Sequence, residues 1–98
     1  MFIHAVLMAF KPGTDDAFHQ RVQDYAAQIR AGSPGLVSYL YAPNEASRAQ
    51  GFSHAVVACF DDEAAHERYQ VSAVHQEMKA FMAGRTERLV VFDSGHWR

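Results

Sequence analysis

A pattern of nine residues, Phe-x-His-Ala-Val-x-x-x-Phe, occurs twice, as FIHAVLMAF over Phe2–Phe10 and as FSHAVVACF over Phe52–Phe60. Each copy is rich in β-forming residues and is followed by a polar turn and then by apolar residues at helical spacing. The pair reads as one βαβ-type unit used twice, which restricts the chain to alternating strands and helices around a shared sheet. At 98 residues there is material for one core, so one domain over residues 1–98 is expected.

Between the copies the punctuation is clear. In the first strand Phe2, Val6, Met8 and Phe10 alternate with Ile3, Ala5, Leu7 and Ala9, so both faces are apolar and both are expected to be covered. Pro12 and Gly13 end it. Thr14 is the expected cap of a helix that carries Asp15 and Asp16 in its first turn and the stripe Phe18, Val22, Tyr25 and Ile29, ending near Gly32. Ser33-Pro34-Gly35 turns the chain into a second strand, LVSYLYAP, and the polar stretch Asn44–Gly51 leads to the third, Phe52–Phe60. Asp61 and Asp62 open a helix through Ala64, Ala65 and Tyr69. Ser72 is placed as a fresh cap, so a break near Val71 is expected before a second piece carrying Val74, Met78, Phe81 and Met82. Gly84 ends that piece, and Arg88–Asp93 supplies a last strand.

The order β-α-β-β-α-β, with right-handed crossovers, gives an α+β ferredoxin-like sandwich. Its four-stranded antiparallel sheet has the two repeat strands at the centre and helices on one face. The far face keeps Ile3, Ala5, Leu7, Ala55, Val57 and Leu89 or Val90, which need a second layer. A second copy of the sheet is the simplest cover, giving a homodimer closed into an α+β barrel. Composition agrees with an ordinary folded domain: 49% of residues are hydrophobic and the net charge is −2. The basic residues are scattered, so no nucleic-acid footprint is expected, and no apolar run is long enough to span a bilayer. Cys59 stands alone, which precludes an internal disulfide and makes a cytoplasmic location the simplest reading.

Three stretches carry a resemblance: His4-Ala5-Val6-Leu7-Met8-Ala9-Phe10-Lys11-Pro12-Gly13, the strand start Gly51-Phe52-Ser53-His54-Ala55, and Tyr69 followed by His75-Gln76. In their order and spacing the chain resembles the stress-responsive dimeric α/β-barrel (Dabb) family over nearly its whole length, and within it members of the olivetolic-acid-cyclase type. The resemblance implies a homodimer of ferredoxin-like units and an aldol cyclisation of a poly-β-keto thioester without metal or organic cofactor. It places the catalytic pair at Tyr69 and His75 and two strand histidines at His4 and His54. Where the family often has His-Pro-Ala-His before the glutamine, this chain has Ser72-Ala73-Val74-His75.

Such a closure needs a base between two carbonyls and a donor for the enolate oxygen, tasks that suit histidine and tyrosine. The expected arrangement has His75 as base, held by a hydrogen bond to Tyr69, with His4, His54, Met8 and Met78 lining one cavity between sheet and helices. It requires the even-numbered face of both repeat strands to look at the helices. No metal is expected, because the histidines lack helical i, i+4 spacing and no carboxylate stands in the motif to complete a three-ligand set. His19, His66 and His96 are read as solvent-side, Cys59 as packing in the sheet interface, and Tyr39 and Tyr41 as lining cavity or interface. Three functions follow: a small-molecule pocket with cofactor-free acid–base chemistry of the cyclase or isomerase kind on a carbonyl-rich or aromatic compound, a non-catalytic stress-associated binder, or a cofactor-free monooxygenase.

Overall fold

The two repeat strands run side by side in opposite directions, and this pairing organises the molecule. The computed structural model describes residues 1–97. Its elements are β1 (Phe2–Phe10), α1 (Asp16–Gly32), β2 (Leu36–Pro43), β3 (His54–Phe60), α2 (Glu63–Val71), α3 (Ala73–Ala83) and β4 (Thr86–Ser94). They form the ferredoxin-like fold. The sheet order is β2-β3-β1-β4, with every neighbouring pair antiparallel.

The helices begin where a carboxylate meets their free N–H groups. Asp15 caps α1, one residue later than Thr14, by accepting from the Phe18 N–H at 3.0 Å. Thr14 instead joins the turn: its hydroxyl donates to the Lys11 carbonyl and accepts from Arg85 Nε. Asp62 caps α2 in the same way, accepting from the Ala65 N–H at 2.8 Å. Each such cap stabilises its helix by about 1 kcal/mol. β3 begins at His54 and not at Phe52, because Gln50 and Gly51 take positive φ and the chain reaches the β1 ladder only at Ser53, whose N–H donates to Met8. β4 is longer than expected, since pairing to β1 runs from Thr86 to Ser94.

The turn into β2 is fixed by contact with α2. Gly35 has φ +80°, and a Cβ there would lie 2.6 Å from the Ala65 Cβ, so glycine meets both the backbone and the steric demand. The core lies between the sheet and the helices, built on Val22, Tyr25 and Ile29 of α1, Val56 and Phe60 of β3, and Met78 and Met82 of α3. The opposite face is bare. Register aligns Leu40, Val57, Ala5 and Phe92 in one row across all four strands, and Ala42, Ala55, Leu7 and Val90 in the next row. Leu40 is 54% exposed, Val57 43% and Phe92 59%. Cys59 belongs to that face and is buried with its thiol 3.5 Å from Met1 Sδ. Among the described residues no helix is long and apolar enough to cross a membrane.

Candidate functional site

Ser72 separates α2 from α3 and ties together the two residues on either side of the break. Its N–H and its hydroxyl both donate to the Tyr69 carbonyl, while its oxygen accepts from the His75 N–H. An extended backbone at Ser72, φ −65° and ψ 149°, turns the chain between the two helices. Tyr69 and His75 therefore stand on different helices yet face each other, with ring centroids 4.4 Å apart.

They look into a cavity of about 340 Å³ between the helices and the even-numbered face of the sheet. His4, Met8, Tyr69, His75 and Met78 all line it, together with Met82, Lys79, Leu89 and Val91. The strand contribution follows from register, which sets Leu89 and Val91 beside Met8 and Val6 on one face. β4 is an edge strand and the helices do not cover it, so the cavity opens there and leaves those two side chains exposed.

The hydrogen bonds differ from the expected ones. His75 is not held by Tyr69; its Nδ1 lies 2.9 Å from the Gln70 carbonyl oxygen. A carbonyl only accepts, so Nδ1 carries the proton and Nε2 keeps its lone pair. Burial lowers the His75 pKa, opposed by that carbonyl and reinforced by the nearby His4, Lys79 and His66 side chains. Neutral His75 is therefore the form present at pH 7. The Tyr69 hydroxyl bonds instead to the Tyr39 hydroxyl at 2.9 Å, and Tyr39 also approaches Met78 Sδ. Burial raises both phenols, Tyr39 to about 12 and Tyr69 further. Both remain protonated donors at any physiological pH.

His54 does not line this cavity. Because the repeat strands are antiparallel, His4 pairs with Ala58 while His54 pairs with Met8, about 13 Å along the strand at ~3.3 Å per residue. His54 faces the helix side at the other end of the sheet, stacked on His19 of α1 at 4.1 Å and on Tyr41 of β2 at 5.5 Å. His19 is half-buried, not solvent-side, and its Nδ1 lies 2.8 Å from the Tyr41 hydroxyl. Burial and the neighbouring His19 lower the His54 pKa. Tyr39 and Tyr41 both serve the helix face, each anchoring a different cluster.

Asp93 and His66, beside the cavity, were missed from the sequence; His66 is buried, whereas the solvent side was expected. His4, 4% exposed, makes a 2.5 Å contact through Nδ1 with the Asp93 carboxylate of β4. His66, also buried, stacks on Phe2 and lies tilted against His4, with centroids 4.7 Å from each. The expectation that no carboxylate joins the histidines is overturned, since β1–β4 register sets Asp93 directly opposite His4. His66 had one legible signal: it precedes Tyr69 by three residues and so shares its helix face. His96 is exposed, as expected.

Residues 2–95 match the stress responsive A/B barrel domain family. No curated protein sequence matches the chain. Among solved structures, the chain is similar to a dimeric ferredoxin-like protein of unknown function from Thermobifida fusca, with TM-score 0.82 and 22% identity over 95% of this chain and 88% of that one. It is similar to the hydroxynitrile lyase of Passiflora edulis, with TM-score 0.82 and 18% identity over 95% and 90%. A protein named as a candidate antibiotic biosynthesis monooxygenase from Caulobacter crescentus gives TM-score 0.84 and 14% identity over 99% and 90%. At such identities the likeness is one of fold.

Proposed function

The chain belongs to the stress responsive A/B barrel domain family, and from that premise we propose that it is a homodimeric pocket protein performing cofactor-free acid–base chemistry on a small carbonyl-rich or aromatic compound. The observation that carries the reading is the His75 ring, whose Nδ1 proton is committed to Gln70 so that Nε2 is left as an acceptor beside a buried tyrosine. In that reading His75 Nε2 takes a proton from the carbon between two carbonyls, and the electron pair moves to the enolate oxygen. With Tyr39 donating to the Tyr69 oxygen, the Tyr69 proton is offered to that enolate. The enolate carbon then bonds to a second carbonyl carbon of the same molecule, and the imidazolium returns its proton to the new alkoxide. General-base action of this kind is worth ~10²–10⁴-fold. The lining of Met8, Met78, Met82, Leu89 and Val91 suits an apolar, flexible substrate.

The homodimer is supported by the two apolar rows on the far face of the sheet and by neighbours of the same fold that are described as dimeric. A lone buried thiol fits a reducing compartment, the cytoplasm being the simplest. The chemistry is tested by incubating the protein with linear β-diketones and poly-β-keto thioesters and following cyclised product by mass spectrometry. His75→Ala is expected to lose at least ~10²-fold in kcat/KM with ligand affinity nearly kept; unchanged turnover removes His75 from the mechanism. The Met-lined cavity also suits a binder, which would show affinity for these compounds and no product from the unaltered chain. An oxygenase would consume oxygen with a phenolic substrate.

A further inference from the structure

Two buried histidines from different elements converge on one carboxylate. His4 of β1 reaches Asp93 through Nδ1 at 2.5 Å, and His66 of α2 directs Nε2 at the same carboxylate oxygen from 4.0 Å. One proton can join His4 to Asp93, but the His66 contact is too long for a hydrogen bond. The ligand atoms of the three residues all lie within 4.8 Å of one another. A cation bonded at about 2.0–2.2 Å to two imidazoles and a carboxylate holds its donors roughly 3.0–3.5 Å apart, an adjustment of about an ångström from the present positions. The rings are already oriented: Phe2 stacks on His66, and Tyr69 meets the His4 ring edge-on.

We infer that His4, His66 and Asp93 form a site for a divalent transition cation. Two imidazoles and one carboxylate select ions of the zinc, cobalt and nickel class over magnesium or calcium, which prefer all-oxygen sites. The remaining positions of the ion face an open bowl of about 810 Å³, on whose wall His66 and Asp93 stand and where Glu63 and Glu67 add negative charge. The Gln70 side-chain amide, 2.9 Å from His66 Nε2, swings aside or turns its carbonyl oxygen to the ion as a fourth donor. The cation takes the place of the hydrogen between His4 Nδ1 and Asp93, and the neutral His4 ring keeps its N–H on Nε2. His4 also lines the cavity of Tyr69 and His75, which puts the ion behind one wall of that cavity without depending on any reaction inside it.

The test is a titration of the chelator-treated protein with Co²⁺, read by visible absorption. Saturation at one Co²⁺ per chain is expected. Asp93→Asn and His66→Gln should each weaken Co²⁺ at least tenfold, while His19→Gln binds like the unaltered protein. Asp93 is a partly exposed side chain whose asparagine replacement still accepts from His4, so that variant keeps its fold, checked by its metal-free circular dichroism and Tm. No saturable binding, or binding that Asp93→Asn and His66→Gln leave within twofold, overturns the site.

Discussion

His75 and His54 both sit where burial, and secondarily the neighbouring basic side chains, favour the neutral ring, so each binds its proton less readily in the folded chain than in the unfolded one. Lys79, His4 and His66 act on His75, and His19 on His54. Because both pKa values are lowered below the ordinary 6.5, the unfolded chain binds more protons between the folded value and 6.5. Stability is therefore complete above about pH 6.5 and falls as acid carries the protein through the lowered values. Thermal unfolding followed from pH 7.5 to 5 is expected to show Tm dropping in that window, with a shallower slope for His54→Gln; a Tm that is flat or rises toward acid contradicts the assignment. The same sign governs turnover under the proposed mechanism. kcat/KM should rise with pH through the lowered His75 value and reach a plateau by neutrality, with no alkaline limb from Tyr69, whose phenol is pushed up by burial.

The element that decides the site is the α2–α3 break. A continuous helix from Glu63 to Ala83 would set Tyr69 and His75 six residues apart, turned about 120° from each other around the helix at 3.6 residues per turn. Ser72 turns the chain between them and uses its one hydroxyl to bond the carbonyl of the first and the N–H of the second. Ser72→Ala removes both side-chain bonds and should destabilise the fold by about 1 kcal/mol. Under the proposed mechanism it also lowers kcat more than it raises KM, because it loosens the aim of His75 and leaves the cavity lining intact. A variant with the expected loss of Tm and unaltered kinetics would show that the break serves only the fold. The sequence marked this break, since a serine three residues before His75 is a capping signal, but the hydrogen-bond partners of both rings came from elsewhere. Gln70 and Tyr39 hold them, one through a backbone carbonyl and the other from a strand thirty residues away.

At the scale of the molecule, the sheet has one covered face and one bare face. Exposed rows such as Leu40, Val57, Ala5 and Phe92 are too extensive to leave in water, whereas a specific pairing of two such sheets buries the ~1,200–2,000 Å² typical of stable association. Val57 stands in the middle of that face and contributes nothing to the helix-side core. Val57→Asp is therefore expected to leave the fold intact and yield single chains, and light scattering after size-exclusion chromatography is expected to find two chains for the unaltered protein. Two chains in both proteins would place the interface elsewhere.

Periodicity and punctuation in the sequence determined the seven elements to within a few residues, because strand alternation, helical stripes and turn residues are local properties of the chain. Parity ties the side chains of β1 and β3 together, and the even-numbered face looks at the helices, as the expected pocket required. Thr14 shows the limit of that reading: a hydroxyl can cap a helix or close a turn, and only Arg85, brought beside it by folding, decides which. The grouping of the histidines lay further from view. His4 and His54 hold equivalent places in the repeat, yet antiparallel pairing sends them to opposite ends of the sheet, one to Asp93 and His66 and the other to His19 and Tyr41. Which residues meet across a ladder depends on strand direction and register, and those are settled by the tertiary structure alone.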